Sequence, residues 1–82
     1  MPGRLASQLL ALAGEYGEGM PDDEGVRIPM RLTQADLAAL VGASRVSVNQ
    51  ALGQFRKRGA ISIARDGRVS VHDEDALARR AR

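Results

Sequence analysis

The sequence predicts a mainly α-helical domain with a small antiparallel β-sheet, an α+β fold, from three observations. Apolar residues recur at helical spacing in three segments. Other, shorter segments alternate apolar and polar residues, and an Asp-Gly pair lies between the last two of these alternating segments. With 82 residues, the chain has room for one compact domain and not for two. The expected order is helix, strand, helix, helix, strand, strand and short helix, over residues 4–78.

The first half of the chain predicts one helix, one loop and one strand. Leucine and tyrosine side chains recur at intervals of three and four over residues 4–16, which predicts an amphipathic helix. Residues 1–3 are left out because Met-Pro-Gly at a chain start can be an expression remnant. Residues 18–25 carry glycines and consecutive acids that lack the alternation of a calcium loop, so a surface loop without a metal is expected. Residues 26–32 alternate as a strand, and Pro29 predicts an edge strand or pairing on one side only.

Residues 33–58 predict two helices joined by a glycine turn. Thr33 is the N-cap candidate of the first helix, with Asp36 completing a capping box, and Gly42 ends that helix. Ser44 is the N-cap candidate of the second helix, which continues to residue 58. The residues expected to be buried are Leu37, Ala38, Leu40 and Val41 on the first helix and Val48, Ala51, Leu52 and Phe55 on the second.

This helical pair has the features of a helix-turn-helix. The motif needs a small residue where the helices touch and a turn residue that tolerates a left-handed backbone, and Ala38 and Gly42 meet these needs. Because the apolar residues seat the second helix on the first, its polar face is left bare. The residues on that face expected to reach base edges in the major groove are Arg45, Val46, Asn49 and Gln50.

Residues 61–71 predict a β-hairpin that completes a winged helix-turn-helix. Asp66-Gly67 is the expected centre of its turn, and arginines flank the tip. These arginines are placed to touch the phosphate backbone or the adjacent minor groove. The residues expected to contact the DNA backbone are Thr33, Gln34, Ser44, Ser47, Arg56, Arg65 and Arg68.

Charge is distributed unevenly along the chain. Residues 1–43 carry three basic and six acidic side chains, whereas residues 44–71 carry six basic and one acidic. Positive charge is therefore concentrated on the predicted helix-turn-helix and wing, which favours double-stranded DNA as the partner. A winged helix that binds another protein is the alternative, although its face would be more apolar than this one.

Other classes of function have little support in the sequence. The absence of cysteine excludes disulfides and thiolate metal sites, fits a cytoplasmic location, and leaves no cofactor or metal to expect. No apolar run approaches the roughly 20 residues that cross a bilayer. The single histidine, His72, lies beside acids without a partnered nucleophile, so it is expected to be a capping or solvated residue, and no enzyme is expected.

Four short segments carry a family resemblance: Leu-Thr-Gln-Ala-Asp-Leu-Ala at 32–38, Val-Gly-Ala-Ser-Arg at 41–45, Leu-Gly-Gln-Phe-Arg-Lys-Arg-Gly at 52–59 and Asp-Gly-Arg-Val at 66–69. With these segments the chain resembles the C-terminal DNA-binding domain of the cyclic-AMP receptor protein and fumarate–nitrate regulator (Crp/Fnr) family of bacterial transcription factors. The resemblance implies a homodimeric parent protein whose effector and dimerisation regions are absent here. Contact with RNA polymerase is a further expectation.

The resemblance also predicts an altered operator. Members of the family commonly present an Arg-Glu pair on the recognition helix and, four residues after the Glu, an Arg. Arg45 matches the first position, but Val46 stands in place of the Glu and Gln50 in place of the second Arg. Valine packs on a thymine methyl and glutamine suits adenine, so we expect a half-site with one retained guanine contact.

Overall fold

The computed structural model describes residues 2–20 and 25–81, which form four helices and a four-stranded antiparallel sheet. The mainly α-helical α+β class predicted from the sequence is confirmed. In chain order the elements are α1 (Pro2–Tyr16), β1 (Glu18–Gly19), β2 (Val26–Arg27), α2 (Gln34–Val41), α3 (Arg45–Lys57), β3 (Ile61–Ile63), β4 (Val69–Val71) and α4 (Glu74–Ala81).

The core lies where α1, α3 and α4 pack over the sheet. Leu5 and Leu9 of α1, Val48 of α3 and Leu77 of α4 are fully buried, as is Ile28, which follows β2. Each large aliphatic side chain removed from water in this way contributes roughly 1.5–3 kcal/mol. The core therefore holds α3 through its apolar side and leaves the opposite side of that helix facing outward.

Helix α1 begins at Pro2, two residues before the start predicted from the sequence. Proline fits the first turn because the N–H it lacks would have no partner inside the helix. A Cβ on Gly3 would lie 2.7 Å from the carbonyl oxygen of Arg80, so α1 and α4 approach each other closely at this point. Pro2 and Gly3 thus belong to the packed helix, while Met1 lies outside the described residues.

The sheet order β1-β2-β4-β3 corrects two predictions. The expected loop at 18–25 begins with β1, which pairs with β2 through Gly19 and Val26, and residues 21–24 lie outside the described part. Strand β2 also pairs with β4, so it is an inner strand and not an edge. The error arose because a two-residue strand of Glu and Gly carries no alternating pattern. Pro29 is accommodated because β2 ends two residues before it.

The β3–β4 hairpin is present as predicted, but its turn differs by one residue. The Gly67 N–H donates to the Ala64 carbonyl at 3.0 Å, and the Ala64 N–H donates to the Arg68 carbonyl at 2.9 Å. Arg65 and Asp66 are therefore the central residues, and Gly67 follows with a φ of 91°. This is a three-residue hairpin loop in which glycine supplies the left-handed position.

Candidate nucleic-acid interface

The start of α2 is fixed by the predicted capping box. The Asp36 N–H donates to Thr33 Oγ1, and the Thr33 N–H donates to Asp36 Oδ2, both at 3.0 Å. Hydrogen bonding to the Asp36 carboxyl, from the backbone N–H of Thr33 first and from its hydroxyl second, lowers the pKa of that carboxyl because it stabilises the charged form. The carboxylate also lies in the first helical turn, where the helix dipole favours negative charge.

The turn between α2 and α3 is set by Gly42. This residue ends α2 in the left-handed conformation, with φ 68° and ψ 40°, and its N–H donates to the Ala38 carbonyl. Ala38 is itself buried, as expected for the small residue at the helix crossing. The Ser47 N–H then donates to Ser44 Oγ at 3.1 Å, which confirms Ser44 as the N-cap of α3.

The buried faces of the two helices agree with the sequence prediction except at one position. The buried stripe of α2 consists of Leu37, Ala38 and Val41. Leu40 lies beside this stripe and not within it, so it is 51% exposed. The predicted buried residues of α3 are all buried: Val48, Ala51, Leu52 and Phe55. The seating of α3 therefore follows the sequence pattern closely.

The four residues predicted to reach bases lie together on the first two turns of α3. Arg45, Val46, Asn49 and Gln50 are all exposed, and Val46 is 67% exposed despite being apolar. Because α3 rises about 1.5 Å per residue, the group extends over roughly 8 Å of the helix axis. This length is comparable to the roughly 8.5 Å depth of a B-DNA major groove.

One hydrogen bond within this surface connects the two helices directly. Gln34 Nε2, at the first position of α2, donates to Asn49 Oδ1 at 2.9 Å, and both side chains are exposed. Sequence reasoning placed Gln34 on the DNA backbone and Asn49 on a base. The structure brings the two side chains into direct contact.

The residues predicted to touch the DNA backbone divide into separate groups. Thr33, Gln34, Ser44 and Ser47 lie at the N-termini of α2 and α3, and Ser44 Oγ donates to Ser47 Oγ at 3.0 Å. Arg56 lies eleven residues beyond Arg45, or about 16 Å farther along the helix axis, so it is apart from that group. Arg65 is exposed at the centre of the wing turn.

Arg68 is engaged within the protein, which the sequence did not indicate. Its Nε donates to the Pro29 carbonyl at 2.8 Å, and its Nη1 forms an ion pair with Asp66 Oδ2 at 2.7 Å. The Arg68 N–H also donates to Asp66 and contributes most to lowering the pKa of that carboxyl. Arg68 therefore joins the wing to the body of the domain, whatever else it contacts.

Sequence reasoning missed two basic residues near the wing. Arg27 and Arg31 are both exposed, and their charges also lower the pKa of Asp66 in the wing turn. Arg27 pairs with Ser70 of β4 in the sheet. The two arginines are four residues apart and so share one face of the predicted strand, which was the signal available in the sequence. The sequence did not show that this strand pairs with the wing.

His72 has a partner that the sequence did not predict. Ser62 Oγ and His72 Nε2 share a hydrogen bond of 2.7 Å across the strands of the wing, and both residues are exposed. His72 is not the cap of α4, because Asp73 Oδ1 accepts from the Ala76 N–H at 3.0 Å and fills that role. Within residues 2–20 and 25–81 there is no cluster of three or more potential metal ligands, and no helix is long and apolar enough to span a membrane.

The capped helical pair with its left-handed glycine turn, followed by the β3–β4 hairpin, defines a winged helix-turn-helix domain. The chain belongs to the family of the Crp-like helix-turn-helix domain, which matches residues 3–80. The predicted family membership is thereby confirmed. The members of this family are transcription regulators and not enzymes. This chain therefore corresponds to the DNA-binding domain of such a regulator.

Curated relatives support this assignment. The CRP-like cAMP-activated global transcriptional regulator of Mycobacterium tuberculosis is 46% identical over 83 aligned positions, which cover 100% of this chain and 35% of that protein. The anaerobic regulatory protein of Bacillus subtilis is 43% identical over 75 positions, covering 92% of this chain and 31% of that protein. The chain thus spans about one third of the length of the relatives it matches.

A solved structure shows the same fold. The CO-dependent transcription factor CooA from Carboxydothermus hydrogenoformans superposes with a TM-score of 0.89 at 23% identity, covering 99% of this chain and 36% of that protein. At this identity the likeness concerns the fold alone. It shows that the arrangement of the four helices and the wing is shared with that transcription factor.

Proposed function

We propose that this domain binds double-stranded DNA sequence-specifically, with the N-terminal turns of α3 in the major groove. The observation that carries the proposal is the bare polar face of α3, on which Arg45, Asn49 and Gln50 are exposed beside Val46. Arginine pairs bidentately with guanine, glutamine suits adenine, and valine packs on a thymine methyl. Arg45 therefore supplies the guanine contact that the sequence predicts, while Gln50 and Val46 read other bases of the half-site.

Backbone contacts orient the domain on the duplex. The N-termini of α2 and α3 present backbone N–H groups and the hydroxyls of Thr33, Ser44 and Ser47, which suit phosphate oxygens. Arg65 at the wing tip and Arg56 farther along α3 add positive charge, and Arg27 and Arg31 extend this charge beside the wing. Each phosphate neutralised by these groups makes binding more sensitive to salt.

We further propose that the domain is the output unit of a dimeric regulator that acts in the bacterial cytoplasm, where the DNA is. Its relatives are about three times as long, which leaves room for a sensing and dimerising region in a parent protein. Two domains related by a two-fold axis would read half-sites about 34–36 Å apart. Contact with RNA polymerase belongs to the same proposal.

Selection from random duplexes tests the proposal. The wild-type domain is expected to enrich one half-site, and its affinity is expected to fall steeply as salt increases. Arg45→Ala should cost about 1–3 kcal/mol of binding free energy and relax one base position. Arg79→Ala removes the same charge from an exposed site on α4 and is the matched control, which should retain the half-site. Failure of the folded domain to bind any duplex at low salt would refute the proposal.

A further inference from the structure

We infer that Gln34 is a positioning residue that fixes the amide of Asn49 and so determines which base Asn49 reads. This inference rests on the proposed DNA binding and deepens it. The supporting observation is the hydrogen bond from Gln34 Nε2 to Asn49 Oδ1, at 2.9 Å, between the start of α2 and the second turn of α3. The two residues are fifteen positions apart, so the contact depends on the fold of the helix-turn-helix.

The direction of this hydrogen bond gives Asn49 a defined polarity. A side-chain amide accepts through its oxygen, which has two lone pairs, and donates through the two N–H groups of its NH2. Because the oxygen of Asn49 is directed at Gln34, the NH2 group on the other branch of the amide faces the groove. Asn49 therefore presents donors to a base.

An asparagine whose oxygen is held by a protein partner is expected to read a different base from an unrestrained asparagine. An unrestrained asparagine pairs bidentately with adenine, because its oxygen accepts from N6 while its nitrogen donates to N7. The hydrogen bond from Gln34 occupies one lone pair of the Asn49 oxygen and directs that oxygen at α2, which disfavours the coplanar pairing with adenine. Guanine offers two adjacent acceptors, O6 and N7, in the major groove, so it is the base that best suits the NH2 group of Asn49.

The helix positions that carry both partners are anchored in the fold. Gln34 lies directly after the Thr33 N-cap, whose capping box fixes the first turn of α2. Asn49 lies beside Val48, which is fully buried and anchors that turn of α3. The hydrogen bond thus joins two rigid helix positions, and rigid support of this kind is what a specificity contact needs.

The test compares base preferences in selections from random duplexes. Asn49→Ala first identifies the position that Asn49 reads, since preference there is lost. The wild type should prefer guanine at that position by about fivefold or more, as expected for one specific base contact. Gln34→Ala frees the amide and should shift the preference to adenine. Gln34→Glu replaces the donor with an acceptor, so Asn49 turns its NH2 inward and should prefer cytosine or adenine, which present donors.

Two controls separate orientation from charge and folding. Ala35→Glu introduces the same negative charge at the next exposed position of α2, and it should weaken all sequences while retaining guanine. Thermal melts should show that every variant folds. The inference would be overturned if the wild type preferred adenine at the position read by Asn49, or if both Gln34 variants still preferred guanine there. Either result would leave DNA binding itself intact. If the wild type selected no sequence and Arg45→Ala had no effect on binding, the proposed function would be wrong, and this inference would fail with it.

Discussion

The Arg68 guanidinium donates through Nε to the carbonyl oxygen of Pro29, 39 residues earlier in the chain, at 2.8 Å. This hydrogen bond connects the wing to the segment that follows β2, in a partly buried setting. The ion pair with Asp66 holds the same guanidinium from the side of the wing turn. The wing is therefore fixed to the body of the domain by a contact outside the sheet ladder.

Arg68→Ala should destabilise the domain. Loss of a charge-assisted hydrogen bond in a partly buried site leaves the Pro29 carbonyl without its donor, and we expect a cost of about 1–2 kcal/mol in the free energy of unfolding. The exposed ion pair with Asp66 adds little. Urea unfolding followed by far-UV circular dichroism measures this change.

Arg65→Ala is the matched control for that measurement. Arg65 is an exposed arginine of the same wing turn, so its removal should change stability by less than about 0.5 kcal/mol. Equal stability of the Arg68 and Arg65 variants would show that the contact with Pro29 does not stabilise the fold. The two variants together also separate wing stability from wing contact with DNA.

Two glycines in the helix-turn-helix should respond oppositely to alanine. Gly42 has a φ of 68°, which alanine adopts only at a cost, so Gly42→Ala should destabilise the domain by about 1–2 kcal/mol. Gly53 lies within α3, and a Cβ there would meet nothing within 4 Å. Gly53→Ala should therefore stabilise the domain by about 0.5–1 kcal/mol. Thermal melts of both variants check this, and a shift in the same direction would contradict it.

Stability should depend on acid pH through Asp36. Its folded-state pKa lies below the ordinary value near 3.8, so its contribution is present above that pH and is lost as pH falls through the lowered pKa. Asp36→Asn should be less stable than the wild type at pH 7, and the difference should shrink as pH falls below about 4. Urea midpoints at pH 7, 4 and 3 measure it. A difference that stays constant over this range would show that the charge of Asp36 is not responsible.

The helical part of the fold could be predicted because its signals are local. The caps at Thr33 and Ser44, the turn at Gly42 and the apolar stripe of α3 each depend on residues within one or two turns. These patterns also specify which face of α3 stays bare. The candidate base contacts could therefore be named before the structure was known.

The sheet and the roles of individual polar residues could not be predicted in the same way. Strand β1 has two residues, Glu18 and Gly19, and forms only because β2 lies beside it. The contacts of Arg68 with Pro29 and of Gln34 with Asn49 join residues far apart in the sequence. No local pattern indicates which of several exposed polar side chains will meet across the fold.

Val46 offers a direct test of how α3 reads DNA. It is 67% exposed on the face expected to enter the groove, where an apolar side chain has no protein partner to cover it. A valine methyl packs favourably against the C5-methyl of thymine and accepts no hydrogen bond from cytosine. The wild type should therefore prefer thymine over cytosine at the base next to the one read by Arg45.

Val46→Glu should reverse that preference. A carboxylate accepts from the N4 amino group of cytosine, and one good contact of this kind provides about 1–3 kcal/mol of discrimination. Binding titrations with two duplexes that differ only at this base measure the change, with Arg79→Ala showing the wild-type preference. Because the substituted side chain is exposed, the fold should be unaffected. If the ratio of the two affinities were the same for wild type and Val46→Glu, the first turn of α3 would not lie against the bases, and the orientation proposed for this helix would be wrong.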